Sequence, residues 1–136
     1  MFNNLVGNVS SSNFHIKKAN LSKFNTYGSN KIEIIKTSTD KNNSEIENVK
    51  SIKIDDIFFD KQISFMKVDV QGFDLEVLKG AKKTIVKEKM PIIFEYEKDF
   101  EKDFNYKFED FENFISEINY KISSRIDNSN YLIVSK

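Results

Sequence analysis

The chain has 136 residues, with 21 basic and 21 acidic side chains and no cysteine. This length allows one domain with a core of its own, and the balanced charge gives no net attraction to nucleic acid or an anionic membrane, so neither is expected as a partner. The absence of cysteine excludes disulfides, thiolate metal sites and cysteine nucleophiles. No apolar run is long enough for a transmembrane helix, and the first residues lack the pattern of a signal peptide, so we expect a cytoplasmic protein.

Residues 1–54 predict several short β segments joined by polar loops. The residues around His15 alternate between apolar and polar side chains, a strand pattern that points the single histidine toward solvent and not into a catalytic site. Residues 31–37 and 49–54 are also β-like, and polar, turn-forming stretches separate them. Asp55 is expected to cap a short helical turn that follows it.

Residues 55–97 predict a strand, a helix and a second strand. The first strand is an apolar run at 63–70, which is expected to be buried on both faces. A Gln-Gly pair ends it, and apolar residues then recur every three or four positions, as in a helix. Gly80 lies inside this helical pattern and predicts a point of close packing or a break. Pro91 ends the helix and opens the second apolar run, so the two strands are expected to be parallel with a right-handed crossover.

Two acidic residues follow the two predicted strands. Asp69 lies at the end of the first and Glu95 at the end of the second, and ligands of open α/β sheets bind outside these carboxyl ends. One hypothesis is that both carboxylates line an active site and orient or deprotonate a substrate hydroxyl. The alternative is that they cap neighbouring turns or accept backbone N–H groups. Carboxylates also suit Mg²⁺, but two acids alone do not predict a metal site, and none is assigned.

Residues 98–136 predict an amphipathic helix followed by a closing hairpin. Apolar residues recur with helical spacing over 107–118, and two β-like segments flank a turn of Asp, Asn and Ser residues at 127–130. Most of the phenylalanines in this part are expected in the core, with Phe100 and Phe104 as the candidates for exposure. No internal repeat is present, so the pattern predicts one domain over the whole chain.

The segments KVDVQGFDLEVLKGA, IKIDDIF and PIIFEYE together carry a family resemblance. The first is similar to the signature K-I-D-V-E-G-x-E-x-x-V-L-x-G-A of the FkbM-type S-adenosylmethionine-dependent methyltransferases, the second to their L-D-D-L segment and the third to their P-x-I-x-x-E strand. The closing NYKISSRIDNSNYLIVSK resembles the last hairpin of a class I methyltransferase. The resemblance implies an α/β, partial Rossmann-like class I methyltransferase fold, with a mixed sheet and a C-terminal antiparallel hairpin.

The resemblance also implies a reaction, the transfer of a methyl group from S-adenosylmethionine to a hydroxyl of a sugar or other small metabolite. On the family pattern, Asp69 and Glu95 are the catalytic acids, and Gln71 and Asp74 bind the substrate. Gln71 stands where the family has Glu, so it keeps a hydrogen-bonding side chain but cannot act as a base. The alternative for Asp74 is that it stabilises the first helical turn. Gly72 is expected to serve the tight strand-to-helix turn.

The cofactor-binding part of the family pattern is missing. The chain's four glycines, Gly7, Gly28, Gly72 and Gly80, are isolated, whereas the family holds the cofactor with a Gly-rich turn and a strand-end acid, much as Rossmann folds hold dinucleotides. We therefore assign no cofactor-binding residue and expect no activity from this chain alone. Three explanations stay open: a fragment that lacks its N-terminal half, a half-domain completed by a partner chain, and a truncated, inactive relative that acts as an interaction module.

Overall fold

A computed structural model of the chain describes residues 4–10, 13–17 and 46–136. Seven strands and four α-helices lie in these ranges, with single 3-10 turns at Ile54–Asp56 and Lys98–Phe100. In chain order the elements are β1 Asn4–Val6, β2 Asn13–Lys17, β3 Ile46–Ile52, β4 Met66–Val68, α1 Asp74–Gly80, α2 Lys82–Glu88, β5 Ile92–Glu95, α3 Glu101–Phe104, α4 Phe108–Glu117, β6 Tyr120–Arg125 and β7 Asn130–Ser135. None of the described helices is long and apolar enough to cross a membrane.

The described strands form two sheets. The first has the order β1-β3-β2, with β1 parallel and β2 antiparallel to β3, and the second has the order β4-β5-β7-β6. In the second sheet β4 and β5 are parallel, while β7 runs antiparallel to both β5 and β6. The predicted α/β class, the mixed sheet and the C-terminal antiparallel hairpin are therefore confirmed.

The N-terminal predictions are only partly covered by the described residues. The strand predicted around His15 is β2, although the side chain of His15 is outside what the structure describes. The strand predicted at 49–54 is β3, which runs from 46 to 52. The segment predicted at 31–37 lies outside the described residues.

The central strand-helix-strand prediction is confirmed, with one error about burial. β4 and β5 are parallel and joined through α1 and α2, but β4 is shorter than the apolar run that predicted it. Lys67 is exposed, Met66 is half-buried and only Val68 is buried. Within the described residues β4 pairs with β5 alone, so it is a sheet edge, and the exposure of Lys67 shows that one of its faces is not buried.

The helix between these strands breaks where Gly80 lies, as predicted. α1 ends at Gly80 and α2 starts at Lys82. A Cβ atom at position 80 would overlap the carbonyl oxygen of Gly7, so the backbones of the helix and of the segment after β1 approach more closely than any side chain allows. Glycine is required at this position for packing.

The cap predicted for Asp55 is made to a different element. Its Oδ2 accepts the N–H of Lys83 at 3.0 Å, and its Oδ1 accepts the N–H of Thr84 at 2.8 Å and the hydroxyl of Thr84 at 2.9 Å. These are N–H groups of the first turn of α2, which the helix itself cannot satisfy. The prediction of a local cap was wrong because the acceptor serves a helix that is distant in sequence and close in space.

The core lies between the four-stranded sheet and the helices α1, α2 and α4. Phe94 of β5 stacks on Phe111 of α4, with ring centroids 4.9 Å apart, and on Tyr131 of β7 at 5.5 Å. The helix predicted over 107–118 is α4, and its apolar face is buried. Phe100 is buried and Phe104 is half-buried, so the expectation of exposure was wrong for Phe100. The largest of the fully buried side chains are Tyr120, Phe94, Phe111, Leu75, Leu78, Ile85, Ile92, Ile133 and Asp74.

Candidate active site

The predicted site residues come together where β4 and β5 end. Because β4 and β5 are parallel, their carboxyl ends meet at one edge of the sheet, and Asp69 and Glu95 follow there. β7 is antiparallel to β5, so the turn before β7 reaches the same edge. The N–H of Tyr96 donates to the carbonyl of Ser129 at 2.8 Å, which holds this turn beside Glu95.

Glu95 is the central carboxylate of the site. Its Oε2 accepts a hydrogen bond from Nε2 of Gln71, and its Oε1 accepts one from the hydroxyl of Ser129, both at 3.4 Å. These bonds are long, so they hold the carboxylate loosely. Burial, followed by the negative charge of Asp69, raises the pKa of Glu95 to about 6. Glu95 therefore changes its charge close to neutral pH.

Asp69 is held in the opposite state. Its Oδ2 forms an ion pair with Nζ of Lys67 at 2.8 Å. The hydrogen bond from Lys67 is the main cause that lowers the pKa of Asp69 below its usual value. Two neighbouring carboxylates thus have pKa values moved apart, with Asp69 ionised and Glu95 able to take up a proton, which is the arrangement that separates a fixed charge from an acid–base group.

Asp74 lies beneath this pair and does not face solvent. It is fully buried, its Oδ1 accepts the backbone N–H of Glu95 at 3.2 Å, and its Oδ2 has no partner among the described residues. Burial raises its pKa to about 6. In this conformation the carboxylate ties the start of α1 to the end of β5, and the substrate contact predicted for it stays a prediction.

The turn that carries Gln71 has a left-handed backbone. The φ angle is 52° at Gln71 and 94° at Gly72, so Gly72 serves the tight strand-to-helix turn that was predicted. The hydroxyl of Tyr106 donates to the carbonyl of Gly72 at 2.7 Å. A Cβ atom at position 72 would lie 2.7 Å from ring atoms of both Phe100 and Phe104, so aromatic rings cover this glycine.

Ser129 and Tyr106 are among the residues of the site that the sequence predictions missed. Ser129 lies in the predicted hairpin turn, but only the register of β7 against β5 shows that this turn reaches Glu95. Tyr106 lies between two helices and carries no motif, and it contacts the turn of Gly72 from 34 residues away. The described residues contain no group of three or more metal-ligating side chains suited to hold an ion.

The chain matches the sequence profile of the methyltransferase FkbM domain over residues 2–122. It belongs to the FkbM methyltransferase family. A search of solved structures found similarity to the methyltransferase FkbM from Methylobacillus flagellatus KT, with 27% identity and a TM-score of 0.49 over 64% of this chain. The chain spans only 23% of that structure. No curated protein matches the chain.

Membership of the FkbM methyltransferase family implies S-adenosylmethionine as a cofactor. A glycine turn binds such a ligand by leaving its backbone open to close approach. Here the space of a Cβ is filled by Phe73 at Gly7, by Phe100 and Phe104 at Gly72, and by Gly7 itself at Gly80. None of the three described glycines therefore leaves its backbone open to the close approach that a cofactor-binding glycine turn needs.

Proposed function

We propose that this chain forms the acceptor side of an O-methyltransferase, which binds a hydroxyl of a sugar or other small metabolite and takes up its proton. The observation that carries this proposal is the pair of carboxylates at one sheet edge, one ionised and the other titrating near neutral pH. A general base works best when its pKa lies close to the operating pH. Membership of the FkbM family supplies the reaction class, methyl transfer.

Each group at this edge has a separate task in the proposal. Glu95 accepts the proton of the reacting hydroxyl on a carboxylate oxygen, so that the hydroxyl oxygen becomes the nucleophile. Asp69 stays ionised through Lys67, and after burial its negative charge is the next cause that raises the pKa of Glu95. Gln71 and Ser129 are hydrogen-bonding groups beside Glu95, suited to neighbouring hydroxyls of a polyhydroxylated substrate.

We propose further that the cofactor-binding part comes from a polypeptide outside these 136 residues and packs along β4. Two observations support this. β4 is a sheet edge within the described part of the chain, and an edge strand is an open template for another strand. The segment before β4 exposes large apolar side chains, and Phe58 and Phe65 are 89% and 51% accessible. Exposed apolar patches of this kind often mark protein–protein interaction sites.

A second candidate function is that of an interaction module without activity. Gln71 in place of the family's Glu and the covered glycines favour it. The two candidates differ in what they require of Glu95, because an interaction module needs no proton acceptor at this position.

Acceptor binding is tested by NMR titration of the isotopically labelled chain with methyl glucoside and with glycerol. We expect signals of Gln71, Glu95 and Ser129 to shift, and Glu95→Gln to weaken binding at least about tenfold, as loss of a hydrogen bond to a charged group does. The matched control is Glu117→Gln, an exposed acid on α4, which should bind as the unmodified chain does. An absence of shifts at the three residues, or equal weakening by both variants, would contradict the proposal.

The donor part is tested by calorimetric titration of S-adenosylhomocysteine into the chain. We expect no binding to the chain alone and binding after the N-terminal half of an FkbM methyltransferase is added. Binding by the chain alone would show that the external donor part is not needed.

The completed enzyme is this chain together with the added N-terminal half. In the completed enzyme, Asp69→Asn should lower turnover strongly and leave the affinity for S-adenosylhomocysteine nearly intact. An unchanged turnover would remove Asp69 from the mechanism.

A further inference from the structure

The turn between β4 and α1 adopts a backbone that its sequence does not favour by itself. Gln71 and Gly72 both have positive φ angles, and in the described residues no other two neighbours do. Glycine adopts such angles without steric cost, whereas glutamine does not. Strained residues of this kind persist only where surrounding contacts fix them, and they cluster at functional sites. The contacts that hold Gln71 left-handed therefore matter for the site.

The hydroxyl of Tyr106 contacts the turn from 34 residues further along the chain. It donates to the carbonyl of Gly72 at 2.7 Å and is buried. The ring is fixed in turn by Phe104, at 6.2 Å between centroids, and by Phe111 at 5.3 Å. The ring thus packs against one side chain of α3 and one of α4, and these contacts limit its movement.

The left-handed turn decides where Gln71 points. In this conformation Nε2 of Gln71 donates to Oε2 of Glu95. A change of φ at Gln71 to a negative angle would swing its Cβ, and with it the side chain, away from β5. The placement of Gln71 beside Glu95 thus depends on the turn, and Tyr106 donates a hydrogen bond to that turn.

We propose that Tyr106 is a positioning residue, whose hydroxyl keeps the Gln71–Gly72 turn left-handed and thereby holds the Gln71 amide on the Glu95 carboxylate. The importance of Tyr106 for catalysis rests on the proposed function, whereas its effect on the position of Gln71 does not. The alternative is that the hydroxyl of Tyr106 only donates a hydrogen bond to a buried carbonyl and has no effect on the position of Gln71. The hydroxyl of Tyr120 makes contacts of this kind with the carbonyls of Ile85 and Met90, at 3.2 and 3.1 Å. Tyr120 therefore supplies a matched control.

The test is a double-mutant cycle on the unfolding equilibrium of the 136-residue chain, with Tyr106→Phe, Gln71→Gly and the double variant. Glycine at position 71 adopts the left-handed angle freely, so the hydroxyl of Tyr106 should contribute less to the stability of the turn in this background. We expect Tyr106→Phe to raise the unfolding constant at least about fivefold more in the natural background than in the Gln71→Gly background, a coupling typical of residues that act together. Tyr120→Phe should raise it by the same factor in both backgrounds.

Equal factors for Tyr106→Phe in the two backgrounds would overturn the proposal. If the Tyr106→Phe chain does not fold, recovery of folding in the double variant supports the proposal and its failure contradicts it. In folded variants, the side-chain amide signals of Gln71 should move in Tyr106→Phe and stay unchanged in Tyr120→Phe, and unmoved signals in Tyr106→Phe would also contradict it. These readouts do not use methyl transfer, so an inactive completed enzyme would refute the proposed function and leave the role of Tyr106 to be judged by the cycle.

Discussion

Replacing Asp74 with Asn should make the free energy of unfolding less dependent on pH. The buried carboxyl has a pKa raised from 3.8 to about 6, so between these pH values the folded state binds more protons at this group than the unfolded state does. Stability from this group is therefore complete below about pH 4 and is lost as the pH rises through about 6. The difference is about 2 pH units, and at about 1.4 kcal/mol per unit the loss is about 3 kcal/mol.

Asparagine keeps an oxygen that accepts the N–H of Glu95 and carries no charge to bury. We expect the free energy of unfolding of Asp74→Asn, relative to the natural chain, to rise by about 3 kcal/mol between about pH 4 and pH 7.5. Urea unfolding of both chains at the two pH values measures this, because the difference between variants cancels most contributions of other groups.

The control is Glu76→Gln on the same helix. Glu76 is partly exposed and pairs with Lys79 at 3.0 Å, so its replacement should change the free energy of unfolding by less than about 1 kcal/mol at either pH. A difference between Asp74→Asn and the natural chain that stays constant from about pH 4 to pH 7.5 would refute the reasoning. It would mean that the carboxyl is hydrated, or paired well enough to ionise at its ordinary pKa.

Three further predictions follow from single contacts. Gly80→Ala should lower the free energy of unfolding by about 3 kcal/mol or more, because its Cβ would overlap the carbonyl of Gly7, and a melting temperature equal to that of the natural chain would contradict this. The carboxyl signal of Glu95 should titrate near pH 6 by NMR, and turnover of the completed enzyme should rise through the same pH and fall at least about 100-fold in Glu95→Gln, whereas a flat pH profile would exclude this base. Phe58→Ser should change the free energy of unfolding by no more than about 0.5 kcal/mol and weaken association with the donor half in sedimentation experiments, and undiminished association would remove this side chain from the interface.

Much of the fold was predictable because it depends on short-range patterns of apolar and polar residues. The alternation and helical spacing of apolar residues predicted β5, α4 and the β6–β7 hairpin with bounds close to the observed ones. The motif around Asp69 and Gly72 predicted the strand-to-helix turn, and the parallel strands brought Asp69 and Glu95 to one edge as expected. These features depend on residues only a few positions apart, so one sequence is sufficient to recognise them.

What only the tertiary structure decided is the set of contacts between distant residues. Asp55 caps a helix 29 residues further on, and Tyr106 and Ser129 each reach a partner 34 residues away. The sequence determined which residues carry polar atoms and which segments become strands and helices. The packing of those elements decided which polar atoms meet, because a hydrogen bond depends on distance and angle in space, and neither is encoded in the local pattern of a segment.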